Sequence, residues 1–160
     1  HVVDESVSHF VRALIEAVSS TLQHMASTAV ELMEPDEAPR FDKTLIHAHI
    51  TFSGHGSGEL GMLMDPDFAA ILASRVLGVD AAEPLFQETV LDAVKELLNV
   101  ICGQFLTFRF GEEPVFSLGV PRVFPLGAQA CNMLVSSSPI LVFQCGPSIL
   151  PVYARVRQAP

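Results

Sequence analysis

Long stretches with a helical period stand beside short stretches that alternate, and few folds accommodate both. Residues 6–33 carry Val7, Phe10, Val11, Leu14, Ile15, Val18, Leu22 and Met25 at three- and four-residue steps, the spacing of one helix face. Asp4 or Ser6 is placed to cap that helix. Residues 34–39 predict a polar loop broken by prolines. Residues 44–52 then alternate, with Ile46, Ala48, Ile50 and Phe52 on one face and His47, His49 and Thr51 on the other, as in a half-buried strand. The glycine-rich residues 53–58 predict a hairpin loop into a second strand over 59–64. Asp65-Pro66 opens a helix with a cap and a first-turn proline, and Gly78 closes it. Glu83-Pro84 repeats the opening before a long helix over 85–106, whose apolar face is Val90, Leu91, Val94, Leu97, Leu98, Ile101 and Phe105. Residues 115–120, 131–137, 139–144 and 149–156 read as strands, with a turn at 136–139. Short links between strands favour hairpins, so the expected fold class is α+β, with long helices packed on an antiparallel β-sheet.

The 160 residues make one domain, 1–160, of ordinary size. His1 where a start Met would stand suggests that residues 1–5 are a flexible N-terminus or a remnant of expression. Nine basic residues against eighteen acidic ones leave a net charge of −9. That balance offers no basic footprint for a duplex, so no nucleic acid partner is expected. Only 17% of residues are charged and 49% are apolar, against a usual charged fraction of about 25%. No apolar run approaches the ~20 residues of a membrane span, so no membrane insertion is expected. The surplus points to a subunit interface. Cys102, Cys131 and Cys145 form no close pair, and their odd number argues for free thiols in a reducing, cytoplasmic setting.

On the long helix, Asp92, Glu96, Asn99 and Gly103 step by four, three and four and share one polar stripe. Glu96 and Asn99 lie about 60° apart around the axis and one turn apart along it, so both side chains can reach a common target. With 11 Glu and 2 Asn in the chain, chance alone places a Glu three before an Asn with a frequency of about 0.14 on composition. A solvated helix face accounts for the same pattern.

The surrounding residues add to it. Asp92-Ala93-Val94-Lys95-Glu96-Leu97-Leu98-Asn99-Val100-Ile101-Cys102-Gly103 resembles the signature helix of the CheX-like chemotaxis phosphatases, within the wider CheC/CheX/FliY family. Phe52-Ser53-Gly54 with Gly58-Glu59-Leu60-Gly61 is similar to the family's hairpin. Ser117-Leu118-Gly119-Val120-Pro121 with Gly127 is similar to its segment after the helix. The resemblance spans roughly residues 45–156. It implies removal of the phosphoryl group from the aspartyl phosphate of a CheY-like response regulator, with Asn99 positioning the attacking water and Glu96 pairing with the receiver's active-site lysine. It implies Mg²⁺ on the receiver and no cofactor on this chain, a phosphorylated receiver domain as partner, and a homodimer formed through the sheet. Lys95 departs from the small or neutral residue usual there. The first helix offers Glu16 with Ser19, and Glu31 precedes Glu34, but neither is E-x-x-N, so one site per chain is expected. A non-catalytic receiver-binding or flagellar-switch-type scaffold is the alternative.

Three other clusters compete. His47 and His49 share a strand face with His55 nearby, and three imidazoles can bind Zn²⁺ or Ni²⁺, but no Cys or carboxylate ligand is evident beyond Glu59; a solvated polar face is the simpler reading. Gly54-His55-Gly56-Ser57-Gly58 is superficially like a phosphate loop, but phosphate loops join a strand to a helix, and this one is predicted to join two strands. No nucleophile-elbow motif accompanies any Ser or Cys.

Overall fold

The computed structural model describes residues 5–34, 38–80 and 82–158. Asp4 and the rest of residues 1–4 fall outside that set, as does the centre of the loop at 35–37. Ser6 lies within the first helix, α1 (Glu5–Ala26), and so is not its cap. The helix covers its apolar stripe to Met25 but stops short of the expected residue 33. Ser27 turns left-handed at φ 47°, and the Thr28 amide donates to the Leu22 carbonyl at 3.0 Å, the closure of a helix C-terminus. The released residues Glu31–Met33 form β1 instead of a last helical turn, because they pair with β6 (Ile140–Cys145) in antiparallel register.

β2 (Leu45–Gly54) and β3 (Gly56–Met64) are longer than the alternating segments, so the expected loop contracts to a turn around His55. α2 (Pro66–Leu77) follows its signals closely: Asp65 accepts from the Asp67 amide at 2.8 Å, and Gly78 ends the helix at φ 70°. α3 (Gln87–Phe110) begins two residues later and runs four residues further than expected, to Gly111. β4 (Phe116–Leu118) and β5 (Arg122–Leu126) both pair with β2, end to end along one edge. β5 was not expected, since Pro125 interrupts a strand pattern; at an edge, the missing amide costs little.

Residues 131–137 are not a strand. They belong to α4 (Ala128–Ser137). Their composition favours β-structure, but Cys131 and Val135, one turn apart, bury against Leu45 and Leu63. The Ser136 and Ser137 hydroxyls donate back to the Asn132 and Met133 carbonyls, which satisfies them within a helix. β6 and β7 (Ser148–Gln158) complete a seven-stranded antiparallel sheet, ordered β1-β6-β7-β3-β2-β4 with β5 also on β2. The α+β expectation therefore holds.

α1, α2 and α3 cover one sheet face. Their buried side chains meet Ile46, Ala48, Ile50, Phe52, Leu60, Met62, Leu150 and Val152 in one core. α4 covers one end of the other face. No helix among the described residues is long and apolar enough to cross a membrane.

On that second face, the Tyr153 ring occupies the space a Cβ at Gly61 would need, and Tyr153 is fully buried. A ring held at its hydroxyl by two partners has nowhere to move. Gly61→Ala is therefore expected to cost about 2 kcal/mol of stability through overpacking, read as a lower urea midpoint with an unchanged slope.

Candidate functional site

α3 buries Val94, Leu97, Leu98, Ile101, Cys102 and Phe105 completely or nearly so. Turning that side into the core turns the Asp92–Glu96–Asn99–Gly103 stripe outward. Asp92 and Glu96 are exposed, and Asn99 and Gly103 are half-buried, because α1 runs alongside and its Ser20 hydroxyl donates to the Gln104 side chain. The structure thus brings Glu96 and Asn99 together on an outward surface, one turn apart.

Neither side chain is consumed by another of the described residues. Lys95, the departure from the family pattern, approaches Asp92 at 3.9 Å. Among the described residues, Glu96 has no ion pair. The other asparagine makes a useful contrast. Asn132 accepts from the Phe41 amide at 2.8 Å and donates to the Phe41 carbonyl at 2.9 Å, clamping the 38–44 loop to α4. The Asn99 carboxamide makes no such bond among the described residues. On α1, Glu16 is exposed and Ser19 half-buried, the same pattern as Glu96 and Asn99, but a serine hydroxyl stands where the carboxamide would be.

The rival clusters resolve differently. His47 and His49 do not form a solvated polar face: His47 is buried, stacks on His49 at 5.1 Å and meets Phe124 edge-on. Its Nε2 lies 2.8 Å from the Tyr153 hydroxyl, which donates to Glu59 Oε1 at 2.8 Å. The phenol proton being committed to Glu59, its oxygen accepts from His47, which fixes the proton of His47 on Nε2. Arg155 flanks Glu59 at 3.5 Å and covers the Tyr153 ring. Of these cross-strand partners the sequence reading singles out only Glu59, as a further metal ligand, although period-2 alternation places Tyr153 and Arg155 on the same face. His55 stands apart, against Phe110 of α3. Among the described residues, no group of three or more His, Cys, Asp or Glu is arranged to hold a metal. The glycine-rich segment is a strand-to-strand turn, as expected.

A cleft of about 560 Å³ lies on the second sheet face between Thr51, Ser53, Ser57, Ser117, Arg155 and Arg157. It does not include the α3 stripe, so the chemistry of Glu96 and Asn99 is that of a projecting surface and not of an enclosed pocket. Cys102 and Cys145 are buried, which pushes their thiols up to about 12 and about 11; neither is a nucleophile at neutral pH.

The family described as "Chemotaxis phosphatase CheX" matches residues 46–143. No curated protein matches. Among solved structures, a chemotaxis protein CheX from Desulfovibrio desulfuricans is 18% identical, with a TM-score of 0.70 over 92% of this chain and 99% of that one. A putative chemotaxis protein from Desulfovibrio vulgaris Hildenborough is 22% identical, with a TM-score of 0.69 over 92% and 96%. A CheX–CheY–BeF₃–Mg²⁺ complex from Borrelia burgdorferi is 19% identical, with a TM-score of 0.67 over 93% and 98%. At these identities, the likeness establishes the fold.

The histidine network also makes stability depend on pH. Burial first, then the charges of His49 and Arg155, hold the His47 imidazole down to about 4, against the pull of Glu59. Burial first, and Glu59 second, raise the Tyr153 phenol. Since the folded value of His47 lies below the unfolded value of about 6.5, the unfolded chain binds the extra proton between pH 6.5 and 4. Stability therefore falls as pH drops through that window, by up to about 3 kcal/mol. The melting temperature of His47→Gln is expected to fall less steeply between pH 7 and 4.5 than that of wild type; parallel curves would contradict this assignment.

Proposed function

The chain belongs to the CheX family of chemotaxis phosphatases, and on that premise we propose that it hydrolyses the aspartyl phosphate of a CheY-like response regulator by presenting Glu96 and Asn99 from α3 to the partner's reaction centre. The observation that carries this reading is the outward E-x-x-N pair, unpaired within the described residues, on a helix whose opposite side is locked in the core.

Phosphoryl transfer asks for alignment and charge neutralisation more than covalent help from the protein. Mg²⁺, held by the receiver and not by this chain, supplies the neutralising charge. A carboxamide both donates and accepts, so Asn99 can hold a water in line with the breaking P–O bond without titrating. The Glu96 carboxylate meets the receiver's active-site lysine as a charge-assisted contact, which fixes register and draws an ammonium toward an acidic chain. A cytoplasmic location follows from such a partner.

The test is turnover of an aspartyl-phosphorylated receiver. Wild type is expected to accelerate phosphate loss. Asn99→Ala is expected to lose about 100-fold in kcat, the scale of one preorganised polar group, while still binding. Glu96→Ala is expected to act chiefly through KM, by about tenfold or more. A wild type that binds the receiver without changing its dephosphorylation rate would mean a docking scaffold instead.

The second part of the reading is a homodimer through the sheet. Its support is the edge formed by β4 and β5. Val115 and Val120, just before and just after β4, are each 83% exposed, and Leu118 of β4 and Phe124 of β5 are also exposed, so apolar side chains flank an open strand edge. Light scattering is expected to give about twice the 17.3 kDa chain mass, and Val120→Glu is expected to reduce it to one chain. A wild-type monomer at high micromolar concentration would contradict the dimer.

A further inference from the structure

Gly103 lies in the interior of α3, where glycine destabilises a helix relative to alanine. Other glycines have reasons within the chain: close backbone or side-chain approaches at Gly54, Gly58, Gly61 and Gly119, a left-handed φ at Gly78, Gly111 and Gly146, and a helix cap at Gly127. Gly103 has none of these. Its φ is helical, and a Cβ built on it meets nothing within 4 Å. The fold would accept alanine there and gain by it.

The open space is placed with respect to the proposed pair. Gly103 lies one turn beyond Asn99 on the same outward stripe. Thr107, a further turn on, is exposed and donates its hydroxyl to the Gly103 carbonyl at 3.1 Å. Gln104 beside it is tied to Ser20 of α1. The result is a notch in the helix surface, bare at Gly103 and bounded by side chains that are held in place.

We propose that this notch is the seat for the receiver's main chain next to its phosphorylated aspartate, and that the missing side chain of Gly103 sets how deeply Asn99 enters the reaction centre. The inference rests on the phosphatase reading above and adds a positioning residue to it. A methyl group at Gly103 lifts the receiver away from α3, and a displacement of about 1 Å is enough to cost up to 100-fold in an aligned reaction.

The experiment compares wild type, Gly103→Ala, Gly103→Leu, Asn99→Ala and Asp42→Ala, an exposed position in the loop clamped to α4 across the sheet from α3, using a Mg²⁺- and beryllofluoride-loaded receiver for affinity and the phosphorylated receiver for turnover. Gly103→Ala is expected to melt about 2 °C higher than wild type and yet to lose about tenfold in kcat/KM, mainly through weaker receiver affinity. Gly103→Leu is expected to lose about 100-fold while remaining folded, and Asp42→Ala to match wild type. The opposite signs for stability and function separate a docking role from a structural one. Wild-type turnover by Gly103→Ala, alongside a dead Asn99→Ala, overturns the notch and leaves the phosphatase reading standing. A Gly103→Ala that melts lower than wild type also overturns it, since the glycine would then serve the chain's own packing. A wild type that neither binds nor dephosphorylates the receiver overturns both.

Discussion

Burying one side of α3 against the sheet decides where the other side points. Leu97, Leu98, Ile101 and Phe105 are fully enclosed, and each such side chain is worth about 1.5–3 kcal/mol over exposure. Rotating the helix by a single residue step would bring several of them into water together. No surface charge on α3 competes with a term of that size, since the Lys95–Asp92 pair is an exposed contact of small value. The outward direction of Glu96 and Asn99 is thus a consequence of the core and not of anything the two residues do themselves.

That division leaves the stripe free to act on another molecule. A carboxylate and a carboxamide that find no partner among the described residues, on the surface of a rigid helix, bring little chemistry of their own. Among the described residues, no group of three or more His, Cys, Asp or Glu stands ready to give them a metal. What they supply is geometry, and geometry suits a reaction whose electrophile and counter-charges sit in the partner. A separate network lies on the second sheet face, where buried His47 and Tyr153 meet half-buried Glu59 and exposed Arg155. The two regions occupy opposite sides of the sheet, so the protonation state of the network and the alignment of the stripe belong to different parts of the molecule.

Much of this could be read from the residues in order. The α2 caps at Asp65 and Gly78, the alternation of Ile46, Ala48, Ile50 and Phe52 and the polar stripe of α3 are local patterns, and local patterns survive in the fold. What escaped were features settled by partners distant in sequence. Val135 and Cys131 look like strand residues until Leu45 and Leu63 offer them a helix-packing surface. Glu31–Met33 look like the tail of a helix until β6 offers hydrogen bonds. His47 looks solvent-facing until Tyr153 and Phe124 close over it. The role proposed for Glu96 and Asn99 rests on the family resemblance, since spacing alone shows that they share a face and not what they face.

The central claim is that Glu96 touches the receiver's active-site lysine when the two proteins dock. A double-mutant cycle on receiver affinity, pairing Glu96→Gln with replacement of that lysine by alanine, measures the contact without relying on turnover. The account predicts a coupling energy above about 1 kcal/mol, as for charged groups in direct contact. Strictly additive losses, with no coupling between the two positions, would contradict it.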